Sequence, residues 1–172
     1  MEKYNNEHFL PGMGYESRWK EDGCDAVLSF PELLERISDS ENSGQVILME
    51  GPTGCGKSLM IRRLREQMPD QVVVFSAESI VDYCDWKYIP WKPGHYAGEI
   101  PEGYDIVCIE DVDFLRSTNQ QTLVSVLIRE LISADKTVVL NGIDCTERSP
   151  ELFQNLHHLL QVFRFAEEHN SD

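Results

Sequence analysis

Between Glu50 and Leu59 the chain reads EGPTGCGKSL. Gly51, Gly56, Lys57 and Ser58 fall at the spacing G-x-x-x-x-G-K-[ST], which solves one chemical problem, the holding of a polyphosphate. Glycines at 51, 54 and 56 permit a tight backbone wrap whose N–H groups aim inward at phosphate oxygens. The helix expected from Lys57 onward adds the positive end of its dipole. Lys57 reaches the terminal phosphates and the Ser58 hydroxyl is a hard oxygen ligand for Mg²⁺. The expected nucleotide cradle is therefore Gly51, Pro52, Thr53, Gly54, Cys55, Gly56, Lys57, Ser58 and Leu59. Cys55 sits at a position the motif leaves free and reads as a small filler.

A phosphate cradle of this kind needs an acid from a neighbouring strand to hold the metal. Downstream, YDIVCIEDVDFL is an apolar run that ends in Glu110 and Asp111, with Asp113 two residues on. Carboxylates at a strand end are often only a solvated turn. With the phosphate loop upstream, they are expected to serve a metal site.

The elements that must position these groups alternate in type. Runs of strand length are expected at Val46–Glu50, Val72–Ser76, Ile106–Glu110, Val138–Asn141 and Gln161–Phe165. Helical patterns are expected at Lys57–Met68, Ala77–Tyr83, Gln120–Ser133 and Pro150–Leu159, and a capped helix start at Ser29–Pro31. Leu123, Leu127 and Leu131, with Val124, Ile128 and Ile132, repeat at the spacing of one helix face. Near-continuous apolar strands between helices imply a parallel sheet covered on both sides. Residues 1–30 read as an irregular N-terminal arm with a short helix around Ser17–Glu21, and residues 31–172 as the nucleotide-binding domain. Trp86–Tyr104 is too long for an ordinary connection. It is either an ordered surface loop or one that binds a partner or covers the nucleotide, with Trp91 or Tyr96 stacking on a base beside His95.

At 172 residues one domain is the simplest expectation. The formal net charge of −15 argues against stand-alone DNA binding, which draws on Lys and Arg contacts to phosphate. The small cluster Arg62, Arg63 and Arg65 does not reverse that balance, and a protein partner is expected instead. Five scattered cysteines form no C-x-x-C pair, so neither a disulfide framework nor a zinc site is expected. No apolar stretch approaches the ~20 residues of a membrane span, and MEKYNNEH is not a signal peptide. No membrane association and a cytoplasmic location are expected. His157 and His158 lie among leucines with no third ligand, and read as packing or surface residues.

The succession of phosphate loop, VVVFSAESIVDYC, YDIVCIEDVDFL, a long amphipathic helix and KTVVLNG resembles the ATPase domain of the bacterial replication initiator DnaA, an AAA+ protein. The resemblance runs from about Val46 to Leu156. It implies an α/β fold, the three-layer P-loop NTPase (AAA+ core), with a five-stranded parallel sheet in the order 5-1-4-3-2. It also implies ATP with Mg²⁺ as the cofactors. By this resemblance Glu110 is the Mg²⁺-ligating acid, Asp111 the acid that orients the attacking water, and Asn141 the polar sensor of the γ-phosphate or lytic water.

The chain departs from that family in several places. Its acids run Glu then Asp, which shifts each oxygen by about an ångström, enough to slow chemistry that depends on alignment. Where the family carries a trans-acting arginine, the sequence is NLHHLLQVF. Arg164 is the nearest arginine and reads as a strand-end cation. The sequence leaves no room for the family's helical lid or DNA-binding domain, and a Pro-rich aromatic loop replaces its DNA-contacting insertion. A truncated paralogue that regulates or docks onto the replication machinery is expected, with a protein of that machinery or another AAA+ subunit as partner. Its activity would be that of a nucleotide-dependent switch or weak ATPase. The alternatives are a non-hydrolysing ATP-bound interaction module and a helicase loader of the DnaC type. A small P-loop kinase fits poorly, because no arginine-rich lid is present.

Overall fold

The computed structural model describes residues 18–21, 24–27, 30–39, 44–89, 100 and 103–165. The elements run β1 (Arg18–Glu21), β2 (Cys24–Val27), α1 (Phe30–Ser38), β3 (Val46–Glu50), α2 (Lys57–Gln67), β4 (Val72–Ser76) and α3 (Ala77–Tyr88). They continue with β5 (Ile106–Glu110), α4 (Thr118–Ser133), β6 (Thr137–Gly142), α5 (Cys145–Arg148), α6 (Pro150–Leu156) and β7 (Leu160–Phe165). A 3-10 turn at Val112–Phe114 follows β5 and another at His157–Leu159 precedes β7.

One sheet collects all seven strands in the order β2-β1-β7-β3-β6-β5-β4. From β7 to β4 every pairing is parallel, in the expected order 5-1-4-3-2. In these strands alternate side chains go to opposite faces. Val46, Leu48, Val107, Ile109, Val138 and Leu140 pack under α3, α4 and α6. Ile47, Met49, Ile106, Cys108 and Val139 pack under α1 and α2. The result is three layers, with each fully buried Leu or Ile contributing about 1.5–3 kcal/mol. Among the described residues no helix is long and apolar enough to cross a membrane.

The N-terminal region departs from expectation. Where a short helix is expected at Ser17–Glu21, the backbone forms strand β1. That strand pairs antiparallel with β2 and with β7, in the register Trp19↔Phe165 and Lys20↔Arg164. The hairpin gains a ladder on the edge of a formed sheet, a non-local reward that a five-residue helix cannot match. The second departure is α3, which runs to Tyr88 rather than Tyr83. Its last turn is clamped to α4: Glu130 Oε2 accepts from Lys87 Nζ at 2.6 Å and from Tyr88 Oη at 2.7 Å. Trp91, Lys92, His95 and Tyr96, and the N-terminal stretch FLPGMGYES, lie outside the described residues.

Candidate nucleotide site

Strand β3 ends at Glu50 and the loop expected to cradle phosphate follows at once. Its start is tied to the neighbouring strand, since Gly51 N–H donates to the Gly142 carbonyl at 3.1 Å. The wrap needs left-handed backbone at Gly54 (φ 83°) and Gly56 (φ 98°), a conformation glycine adopts without steric cost. Gly56 is the residue before α2, so the loop delivers the chain directly into the helix N-terminus. Cys55 is buried in the core under α2, in keeping with a filler role. Thr53, Gly54 and Ser58 are exposed; Pro52, Gly56 and Leu59 are half-buried.

Lys57 is only 8% exposed. Its ammonium is turned onto its own loop, donating to the Gly51 carbonyl at 2.5 Å and the Pro52 carbonyl at 2.7 Å. It also lies 3.4 Å from Cys55 Sγ. All three of these contacts of the Lys57 ammonium are therefore with its own loop.

The acids stand two strands away. Glu110 closes β5 and lies opposite Asn141 of β6, one register step beyond the Ile109↔Leu140 pair. Asn141 is completely buried. Its Nδ2 donates to Glu110 Oε1 at 3.3 Å, and its Oδ1 accepts the Asp111 N–H at 2.7 Å. One amide thus fixes both the carboxylate expected to bind metal and the backbone of the acid expected to position water. Asp111 holds a left-handed conformation (φ 60°, ψ 45°), and its side chain is exposed. Asp is among the few residues that tolerate that backbone.

Asp113 has a different task. Its Oδ1 accepts the Ile143 N–H at 3.1 Å and its Oδ2 lies 3.5 Å from Arg148. It is a buried brace between the turn after β5 and the turn after β6. The spacing E-D-x-D does not separate it from Glu110 and Asp111; the bracing partners Ile143 and Arg148 lie thirty or more residues downstream. Gly142 belongs to the same brace. A Cβ there would meet Cys145 Sγ at 2.4 Å and Asp113 Oδ1 at 2.6 Å.

Arg164 and Glu50 form a second feature that the motif pattern does not contain. Glu50 is 6% exposed, and its Oε2 accepts from Arg164 Nε at 3.1 Å. Its Oε1 accepts from the Thr146 N–H at 3.3 Å. Arg164 is thus engaged within its own chain, as the partner of a buried carboxylate. The pair lines a cavity of about 480 Å³ that shares Gly51 and Pro52 with the phosphate loop and also takes in Ile143, Asp144, Thr146, Glu147 and Phe165.

The donor set tests whether a metal fits. Ser58 offers a hydroxyl and Glu110 a carboxylate. Among the described residues no cluster of three or more His, Cys, Asp or Glu could hold a metal by itself. One carboxylate and one hydroxyl suit Mg²⁺, which keeps most of its waters and takes further ligands from phosphate oxygens. Cys84, Cys108 and Cys145 are buried outside the phosphate loop. Burial, then Asp85, pushes Cys84 up to about 12, and burial raises Cys108 and Cys145 as well. His157 Nδ1 lies 3.0 Å from the Gln154 carbonyl and its ring stacks edge-on with His158, on the surface.

No family model matches the chain, and no curated protein does. Solved structures do. Domain III of the replication initiation protein DnaA from Thermotoga maritima superposes with a TM-score of 0.58 at 21% identity, over 80% of this chain and 60% of that one. DnaA from Aquifex aeolicus, bound to AMPPCP, gives 0.54 at 16% identity, over 76% of this chain and 44% of that one. The DnaC helicase loader gives 0.53 at 11% identity, over 78% of this chain and 85% of that one. At these identities the likeness is one of fold: the chain shares the α/β fold, a parallel sheet between helices, of these structures. It spans less than two thirds of the initiator structures.

Proposed function

We propose that this chain is an ATP-binding AAA+ core that acts as a nucleotide-dependent switch or weak ATPase in DNA replication or its regulation. The observation that carries the reading is the alignment of three neighbouring strand tips: the glycine loop and Lys57 after β3, Asn141 at the end of β6, and Glu110 with Asp111 at the end of β5. In this reading the loop amides and Lys57 hold the β- and γ-phosphates, while Ser58 and Glu110 hold Mg²⁺. The ion, when bound, would offset charge on the transferring phosphate. Asp111 aims a water at the γ-phosphate, and Asn141 keeps that acid and Glu110 in register. An arginine to complete the site would come from a neighbouring AAA+ subunit, since Arg164 is committed to Glu50. The protein partner would belong to the replication machinery, and residues 31–172 would form the nucleotide-binding core.

A second reading keeps ATP but not its hydrolysis. Asp111 is one methylene shorter than the Glu usual at this position in AAA+ enzymes, and its main chain is pinned to Asn141, so it has little freedom to extend toward a water. The experiment is a pair of measurements on the wild type and Lys57→Ala. One is equilibrium binding of ATP with and without Mg²⁺; the other is release of labelled phosphate. Lys57-dependent binding with release supports the switch or weak ATPase, and Lys57-dependent binding without release supports the non-hydrolysing module. Binding indifferent to Lys57 sinks both.

A further inference from the structure

Alternate residues of β3 share a face of the sheet, so Glu50 follows Val46 and Leu48 on the side covered by α3, α4 and α6. Its two predecessors on that face are apolar and fully buried. Glu50 is a carboxylate, almost as deeply buried, placed one residue before the glycine loop. A buried ion pair seldom stabilises a fold more than apolar side chains of the same size would. What a carboxylate adds at this position is the direction of its hydrogen bonds.

Those bonds tie down the start of the loop from two sides. In the sheet register Glu50 lies opposite Arg164 of β7 and Gly142 of β6. Its Oε2 accepts from Arg164 Nε at 3.1 Å. Its Oε1 accepts from the main-chain N–H and the hydroxyl of Thr146 in α5, at 3.3 and 3.5 Å. Gly51 is confined by the same neighbours. Its N–H donates to the Gly142 carbonyl, and a Cβ on it would meet Phe165 Cβ at 2.4 Å and the Phe165 carbonyl oxygen at 3.1 Å. Gly51 and Pro52 in turn supply the carbonyls that hold the Lys57 ammonium. One run of contacts therefore leads from β7 and α5, through Glu50 and the first two loop residues, to Lys57.

On the reading of this loop as a nucleotide site, we propose that Glu50 is a positioning residue for it, held in place by Arg164. By joining β7 to α5 immediately ahead of Gly51, the carboxylate fixes the two carbonyls that aim Lys57. Its effect on a bound phosphate passes through Gly51 and Pro52. Arg164 then serves the site in two ways: it orients the carboxylate, and it neutralises a negative charge that stands next to a site for polyanions.

The test measures binding of ATP and of tripolyphosphate, which has no base or sugar, each with Mg²⁺, beside urea unfolding of every variant. Arg164→Leu is expected to weaken both ligands about tenfold. Arg164→Lys keeps a donor for the carboxylate and is expected to retain most of the affinity. Arg164→Leu combined with Glu50→Gln has the net charge of the wild type; its stability is expected to return while its affinity for both ligands stays low. In the same double variant, without ligand, the Gly51 amide is expected to exchange faster while the amides of β5 keep their protection. Leu131→Ala, a destabilising change in α4 away from the loop, is expected to bind as the wild type does. Affinity that recovers together with stability, or that falls equally in Leu131→Ala, would reduce the pair to a fold-stabilising contact and overturn the proposal. Loss of ATP affinity without loss for tripolyphosphate would also overturn it, by placing the effect at the base or sugar. Wild-type affinity in the double variant, with binding abolished by Lys57→Ala, would overturn this role of Glu50 and leave the nucleotide site standing. A wild type that binds neither ligand would overturn both.

Discussion

Asn141 and Asp111 are joined by a 2.7 Å hydrogen bond in which the buried amide oxygen accepts the main-chain N–H of the acid. The bond holds Asp111 in the left-handed region, at φ 60°. The position therefore constrains the backbone as much as the side chain.

Asp111→Asn separates the two constraints, because Asn tolerates the same conformation without the charge. Its unfolding midpoint in urea should match the wild type, while any phosphate release should vanish. Asp111→Val should cost about 1–2 kcal/mol, since a β-branched side chain is strained there. Equal stability of the Asn and Val variants would refute the backbone role.

Gly142→Ala is expected to destabilise the protein by about 1–3 kcal/mol, the range for forcing volume into a packed site. The added methyl would be driven into Cys145 Sγ and Asp113 Oδ1, at 2.4 and 2.6 Å, displacing the brace that supports both the β5 and β6 tips. Denaturant titration reads the cost, and a wild-type midpoint would mean that the brace yields freely.

The Glu50–Arg164 pair predicts a non-additive cycle. Arg164→Leu leaves a buried carboxylate with, among the described residues, only Thr146 to satisfy it, at a cost of about 2 kcal/mol. That is below the 3–5 typical of fully buried pairs, because the Arg164 side chain is 50% exposed. Adding Glu50→Gln should restore more than half of that loss. Additive losses in the double variant would show that the two side chains are not coupled.

At the outer end of α3, the hydrogen bonds from Lys87 and Tyr88 hold the Glu130 carboxyl below its ordinary range. A depressed folded value means stability that is present above the unfolded value, about 4.3, and lost as pH falls through the folded one. Both side chains of the ion pair are substantially exposed, so solvent screening limits the effect to about 0.5 kcal/mol at neutral pH. The difference in stability between wild type and Glu130→Gln should shrink to nothing below about pH 3. A constant offset across that range would assign it to packing instead.

The parallel core was legible because its signals are local. The glycine loop, the apolar strands and the helix periods are short-range patterns, whereas the order of the five strands was implied by the family resemblance. The positions of the glycine loop before α2 and of the acids at the end of β5 were legible for the same reason. Asp113 was not distinguishable from its neighbours by spacing, since its partners Ile143 and Arg148 belong to a distant turn. The pairing of Glu50 with Arg164 depends on β3 and β7 being adjacent, which no local pattern encodes. The last turn of α3 depends on Glu130 in α4, and the N-terminal hairpin depends on the far end of the chain.

That last dependence orders the events of folding. β1 meets the parallel sheet only through β7, with Trp19 opposite Phe165 and nearly the whole chain between them. Closing so long a loop is slow relative to helix formation and nearby strand pairing. During synthesis the chain emerges from its N-terminus, yet β7 has not been made when β1 appears. Of the described strands β1 is made before β7 yet can be seated only after it, so a docked hairpin marks a β7 already in place.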